Sequence, residues 1–163
     1  MRTLLSLALA SLLLSSTAFA AGGGGGGGES TTTITPSKPV DPNFSQAKAM
    51  IEARNYAAAL PLLQQVVAKD PRNADAYNLM GYATRKSGNP QGSLQYYTTA
   101  LQIDPKHLGA NEYIGEAYLM LDQLPQAEQH LARLDSLCVF GCGEYRMLKA
   151  AIANYKVGRK PTN

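Results

Sequence analysis

From about residue 43 onward, apolar residues recur every three or four positions, with polar residues between them. This spacing is typical of amphipathic helices that bury one face. The first two predicted helices carry the apolar residues Phe44, Ala47, Met50 and Ile51, then Tyr56, Ala59, Leu60, Leu63, Val66 and Val67. The last one, over about 144–156, carries Tyr145, Leu148, Ile152 and Tyr155. The pattern as a whole predicts seven helices in about 115 residues.

The small and apolar positions also repeat with a period of 34 residues. An Asp–Pro pair followed by a basic residue occurs at Pro71 and again at Pro105. The positions in register are Ala47, Gly81 and Gly115; Ala59, Ser93 and Ala127; Leu63, Tyr97 and Leu131; and Val66, Ala100 and Leu134. This pattern resembles the tetratricopeptide repeat, a helix–turn–helix unit that stacks into a solenoid.

The resemblance implies an all-α, right-handed solenoid over residues 43–157. Its three repeats would span about 40–73, 74–107 and 108–138, and a capping helix over 144–157 would cover the last repeat. Gly88 is expected to end the first helix of the second repeat, Asn89 to cap the next and Pro90 to occupy its first turn. Residues 158–163 are expected to form a flexible tail.

The N-terminus has the layout of a secretory signal peptide over residues 1–20. A short positive start precedes an apolar run over 4–14, and Ala18–Phe19–Ala20 supplies a small-x-small cleavage pattern. Cleavage would leave a mature chain that begins near Ala21, contains no integral membrane segment and is exported, to the periplasm of a Gram-negative bacterium. The alternative is an uncleaved anchor. The seven consecutive glycines of 22–28 and the Ser, Thr and Pro residues after them predict a disordered tether over 21–42.

Charge and motifs argue against several classes of function. Without Arg2, the chain has 14 basic and 12 acidic residues, which is too small an excess to indicate nucleic-acid binding. No phosphate loop, haem attachment sequence or zinc pattern is present, and neither histidine has partners at a catalytic spacing. We therefore expect no enzymatic activity, no cofactor and no metal.

In tetratricopeptide proteins, the first helix of each repeat lines a groove that holds peptides. The resemblance carries this role to Phe44, Lys48, Asn78, Tyr82, Arg85, Lys86, Glu112 and Glu116. Asn78 is expected to hydrogen-bond a peptide backbone, Arg85 to pair with a carboxylate and Tyr82 to offer an amphipathic contact. Glu112 and Glu116 argue against a basic clamp for C-terminal carboxylates. The alternative for each of these residues is an ordinary solvated helix surface, as with Glu112 and Glu116 at i and i+4.

The two cysteines, Cys138 and Cys142, are predicted to form a disulfide, because an even pair in an exported protein favours one. Its short loop would contribute little entropic stabilisation, and its role would be to set the angle of the capping helix. A redox-active pair and a metal site are the alternatives.

The predicted function is an exported scaffold that binds a protein or peptide in its groove and serves as an adaptor in the bacterial cell envelope. Two other functions stay open on the sequence. One is a thiol–disulfide partner protein that uses Cys138 and Cys142, and the other is a self-assembling structural module.

Overall fold

The computed structural model of the protein describes residues 40–162, which contain seven α-helices and no strand. The helices are α1 Pro42–Glu52, α2 Tyr56–Lys69, α3 Ala74–Lys86, α4 Pro90–Ile103, α5 Leu108–Met120, α6 Leu124–Leu137 and α7 Gly143–Lys156. The all-α class is therefore confirmed. The predicted signal peptide and nearly all of the predicted tether lie outside the described residues.

The predicted tether extends two residues too far. Asp41 is the N-cap of α1, where its carboxylate accepts from the backbone N–H of Asn43 at 2.7 Å, and Pro42 is the first helical residue. Lys69 of α2 also pairs with Asp41, at 3.1 Å. Proline suits the first turn of a helix because its missing N–H would have no partner there. The ordered chain therefore includes Asp41 and Pro42.

Each helix pair is an antiparallel hairpin whose second helix starts at a side-chain cap. Asn55 and Asn89 each accept from the backbone N–H three residues ahead, at 3.3 and 2.8 Å. Asn73 caps α3 in the same way, at 2.9 Å. Such a cap satisfies one of the free N–H groups in the first turn of a helix. The cap predicted at Asn89 is thus confirmed, and α2 continues through Pro61.

One position of the repeat forces the backbone into the left-handed region. Gly88 lies just after α3 with φ of +90°, and the equivalent residues of the other repeats, Arg54 and Asp122, have φ of +58° and +61°. Glycine adopts this region without steric cost, whereas other residues do so at a cost of about 1 kcal/mol. The conserved geometry of the turn therefore overrides the residue preference in two of the three hairpins.

Small residues allow the helices to approach closely. A Cβ atom on Gly81 of α3 would lie 2.5 Å from the ring of Tyr97 on α4, which is fully buried. A Cβ atom on Gly115 of α5 would lie 2.6 Å from Leu148 of α7. Both distances are shorter than van der Waals contact. Gly81 thus closes a hairpin, and Gly115 admits the capping helix.

The capping helix α7 covers the last hairpin. Leu148 and Ile152 are buried against an apolar cluster of α5 and α6 that includes Leu119, Ala127 and Leu134. A repeat array needs such a cover at its end because each hairpin has one apolar face left for a neighbour. None of the helices within residues 40–162 has both the length and the apolar character needed to cross a bilayer.

Candidate functional site

The first helices of the hairpins, α1, α3 and α5, contact one another in sequence, and α7 follows α5. We call the surface that these four helices share the inner face. Helices α2, α4 and α6 form the other layer. Residues that are 34 apart in sequence therefore lie side by side on neighbouring helices of the inner face.

A small cavity of about 230 Å³ opens on the inner face where α1, α3 and α5 meet. We call it the tyrosine pocket, and its lining residues are Lys48, Ile51, Glu52, Leu79, Tyr82 and Tyr113. The rings of Tyr82 and Tyr113 lie 5.0 Å apart, and Tyr56 contacts Tyr82 edge-on at 6.1 Å. Stacked rings of this kind present a rigid apolar wall with hydroxyl groups at its rim. The pocket has the volume of one large apolar side chain.

The charges at the tyrosine pocket are unequal in exposure. Lys48 is exposed on α1, beside Glu52. Lys86 is half-buried, and its Nζ atom lies 5.9 Å from the centre of the Tyr82 ring. Burial, and then the charge of Arg85, lower the pKa of the Lys86 ammonium. Lys48, Tyr82 and Lys86, all predicted groove residues, thus lie together around this pocket.

Arg85 does not face a ligand, contrary to the prediction. Only 1% of its surface is exposed, and its guanidinium pairs with Glu116 at 2.7 Å. Its Nε atom also donates to the Tyr97 hydroxyl at 3.4 Å. The rings of Tyr82 and Tyr113 lie 5.5 and 5.7 Å from its carbon Cζ. Arg85 and Glu116 therefore join α3 to α5 inside the protein, and the expectation that Arg85 binds a carboxylate of a partner was wrong.

Glu112 and Asn78 are also buried, at 3% and 7% exposure, so the alternative of a solvated helix surface is wrong for both. Burial raises the pKa of the Glu112 carboxyl to about 8, with further contributions from the charges of Glu116 and Glu144. The carboxyl is therefore protonated at neutral pH. The Oδ1 atom of Asn78 is buried without a hydrogen-bond partner.

Phe44 is not part of the tyrosine pocket. It packs on the apolar cluster of α1 and α2 and lines a separate cavity of about 440 Å³. Charged and polar groups, Asp41, Lys69, Asn73 and Asp75 among them, line the same cavity. The predicted groove residues are thus divided between two cavities and a buried interior.

Three pocket residues were missed on the sequence: Ile51, Leu79 and Tyr113. Leu79 and Tyr113 are 34 residues apart, so the repeat register itself places them at one position of neighbouring helices. A search for groove positions that also carry an aromatic residue would have found Tyr113.

A further cleft of about 550 Å³ continues the inner face toward α7. Lys86 and Glu116 line it, opposite Met147, Ala150, Ala151 and Asn154 of α7 and residues 159–162. Within the described residues the expected flexible tail thus forms one wall of a cleft.

The disulfide predicted between Cys138 and Cys142 is present, with the two Cα atoms 5.5 Å apart. Cys138 ends α6 and Cys142 is the N-cap residue of α7, so the bond fixes the start of the capping helix. The loop that it closes leaves Val139 and Phe140 at 83% and 100% exposure. Among residues 40–162, no three His, Cys, Asp or Glu side chains are grouped as a metal site would require.

Comparison with solved structures supports the fold. The protein is similar to the Type III secretion translocator chaperone SycD of Yersinia enterocolitica, with 16% identity and a TM-score of 0.65 over 73% of this chain and 84% of that one. PcrH, solved in complex with the chaperone binding region of PopD, gives 16% identity and a TM-score of 0.64 over 71% and 90%. MamA of Desulfovibrio magneticus RS-1 gives 24% and 0.56 over 58% and 54%. The match thus spans about half the length of MamA.

These likenesses show the fold alone, because each identity is below 25%. Comparison with curated protein sequences gives no match. Two family models, both described as tetratricopeptide repeat, match residues 44–107 and 84–152. Together they span residues 44–152, well over half of the 163-residue chain. The protein belongs to the tetratricopeptide repeat family.

Proposed function

We propose that the protein binds an extended segment of a protein partner on its inner face. The observation that carries the proposal is the tyrosine pocket, which combines a rigid aromatic wall with an opening of one side chain's volume. Binding energy at protein interfaces concentrates in such pockets, where aromatic residues exclude water from one anchoring side chain. An apolar or aromatic anchor of the partner would fill the pocket.

The rest of the inner face suits a peptide main chain. The cleft toward α7 continues from Lys86 and Glu116, so a segment anchored at Tyr82 has a path along several helices. PcrH, which shares the fold, was solved with a segment of another protein bound. By analogy of fold we place the partner segment of this protein across α1, α3, α5 and α7.

We further propose that the protein acts as an exported adaptor in the bacterial cell envelope, without enzymatic activity. The signal-peptide pattern of residues 1–20 supports export, and the disulfide suits an oxidising compartment. In this proposal the glycine-rich segment separates the binding domain from the processed N-terminus.

Retention of partners from a cell-envelope extract tests the binding proposal. The full-length chain is compared with Lys48→Glu, which reverses an exposed charge at the pocket, and with Tyr82→Ala, which removes the aromatic wall. Gln95→Ala is the matched control, because Gln95 is exposed on α4, in the other layer. We expect both pocket variants to lose at least about tenfold of the bound partner, while the control retains it. Equal retention by all variants would reject the inner face as the site.

We propose self-association as a second candidate function, supported by the apolar tip of the disulfide loop. Val139 and Phe140 are almost entirely exposed, and exposed apolar groups of this size frequently mark contacts with another chain. Sedimentation of the wild type beside Phe140→Asp tests it. A concentration-dependent oligomer formed only by the wild type would support this candidate, and monomers at every concentration would reject it.

A further inference from the structure

Two buried polar side chains of the inner face have no partner within the protein. Asn78 on α3 is 7% exposed, and its Oδ1 atom accepts no hydrogen bond. Glu112 on α5 is 3% exposed, and within residues 40–162 its carboxyl group forms no hydrogen bond or ion pair. Buried polar groups in folded proteins almost always have a partner, since an unpaired one costs about 1–3 kcal/mol. Two such groups on one surface therefore point to a partner from outside.

The fold brings these two groups to neighbouring places. They are 34 residues apart, so they occupy the same repeat position on adjacent helices. The Nδ2 atom of Asn78 lies 3.3 Å from the position that a Cβ atom on Gly109 would take. Gly109 is three residues before Glu112 on α5, and residues at this spacing share one face of a helix. The amide of Asn78 thus reaches α5 about one turn from the carboxyl group of Glu112.

The charges around Glu112 are mainly negative. Glu116 on its own helix and Glu144 on α7 both raise its pKa, and only Arg85 on α3 lowers it. The charge of Arg85 is already paired with Glu116 at 2.7 Å. Arg146, which occupies the equivalent position on α7, is exposed and donates to the carbonyl of Gly141 at 3.0 Å.

We infer that Asn78 and Glu112 form a subsite for a cationic side chain, lysine or arginine, of the segment that the inner face binds. This inference rests on the proposed function and names the chemistry of the partner. An ammonium or guanidinium group would donate to the amide oxygen of Asn78 and to the carboxylate of Glu112. The apolar anchor in the tyrosine pocket and this cation would together set the register of the segment.

A different ligand is chemically conceivable, because a protonated carboxyl can donate to a carbonyl or carboxylate oxygen. The surrounding charges disfavour that arrangement, since an acceptor would add negative potential beside Glu116 and Glu144. The two cases differ in the sign of their pH dependence. A cation favours the ionised form of Glu112 and releases its proton on binding, whereas an acceptor oxygen favours the protonated form.

The probe is a library of displayed random peptides of about twelve residues, selected against the full-length chain, Glu112→Gln and Glu128→Gln. Glutamine preserves the shape of Glu112 and cannot become charged. Glu128→Gln is the matched control, because Glu128 is exposed on α6. We expect a basic residue at one fixed position in peptides that bind the wild type and the control, and its loss with Glu112→Gln. Urea unfolding of each variant confirms that it is folded.

A selected peptide that carries a tryptophan gives the second measurement, because the protein itself contains none. Its affinity for the wild type should rise by up to about tenfold per pH unit between pH 6 and 8. That slope should vanish in Glu112→Gln and when the basic residue of the peptide is replaced by norleucine. An affinity that falls with pH would overturn the inference and favour the acceptor ligand.

The failures of the two proposals are distinct. Peptides that need Tyr82 for binding but show no basic position would reject the cation subsite and leave the proposed function intact. A basic position that persists in Glu112→Gln would also reject the subsite. A library that yields no peptide dependent on Tyr82 would reject the proposed function, and the subsite with it.

Discussion

The ion pair between Arg85 and Glu116 yields the most quantitative prediction, because its two partners differ in exposure. The side chain of Arg85 is 2% exposed and that of Glu116 is 22% exposed. Glu116→Ala leaves a buried cation with only tyrosine rings and one hydroxyl near it. Removing one partner of a buried pair costs about 3–5 kcal/mol, and the ring contacts offset part of this. We expect Glu116→Ala to lower the free energy of unfolding by about 3 kcal/mol.

Arg85→Met should be less harmful, because methionine refills the space and the half-exposed carboxylate of Glu116 regains water. We expect a loss of about 1–2 kcal/mol, and nearly the same loss for the double variant. The coupling energy of the cycle is then about 2–3 kcal/mol. Urea unfolding followed by circular dichroism measures all four proteins.

Glu128→Ala is the control for the cycle, since it breaks an exposed pair with Lys156 at 2.7 Å. It should change the unfolding free energy by less than about 1 kcal/mol. If Arg85→Met and Glu116→Ala both cost as little as this control, Arg85 is hydrated in solution. The structural role would then be refuted, and Arg85 would again be a candidate ligand group.

Four further predictions concern separate features. Gly81→Ala should cost about 1–3 kcal/mol in urea unfolding, and more than Gly115→Ala, because its Cβ atom meets a rigid ring at 2.5 Å rather than the end of a leucine. Glu112→Gln should gain stability relative to the wild type as pH rises from 4.5 to about 8, by at least about 1 kcal/mol, since the folded protein holds a proton there that the unfolded chain releases; parallel pH profiles would refute this. Arg54→Gly should raise the unfolding free energy by up to about 1 kcal/mol, because it removes a side chain from φ of +58°; a loss would contradict the strain. N-terminal sequencing of the exported protein should begin near Ala21, and an intact Met1 would reject the predicted cleavage.

The repeat period made the architecture predictable. Residues 34 apart set the three hairpins, and the stripe from Tyr145 to Tyr155 set the capping helix, because burial periodicity is a local property of the chain. The turn was only partly predictable: Gly88 announces its positive φ, whereas Arg54 and Asp122 adopt the same conformation without such a signal. Their conformation follows from the hairpin geometry, which no single turn residue encodes.

The site was less predictable, because a helix pattern does not say how closely the next helix approaches. Arg85 and Glu112 have the spacing of exposed charged residues, yet α5 and α7 pack over them. The partner of Arg85 is 31 residues away in sequence, on another helix, so its burial depends on tertiary packing. Tyr82 and Lys48 were predictable because their positions on α3 and α1 face the open side in any stack of hairpins.

Site-specific photo-crosslinking in living cells tests the central claim, partner binding on the inner face, most directly. A photoreactive amino acid replaces Lys48 at the tyrosine pocket in one strain and Gln95 on α4 in another, both at exposed positions. We predict a discrete crosslinked partner at position 48 and none at position 95. A partner captured only at position 95, or equally at both, would contradict the account.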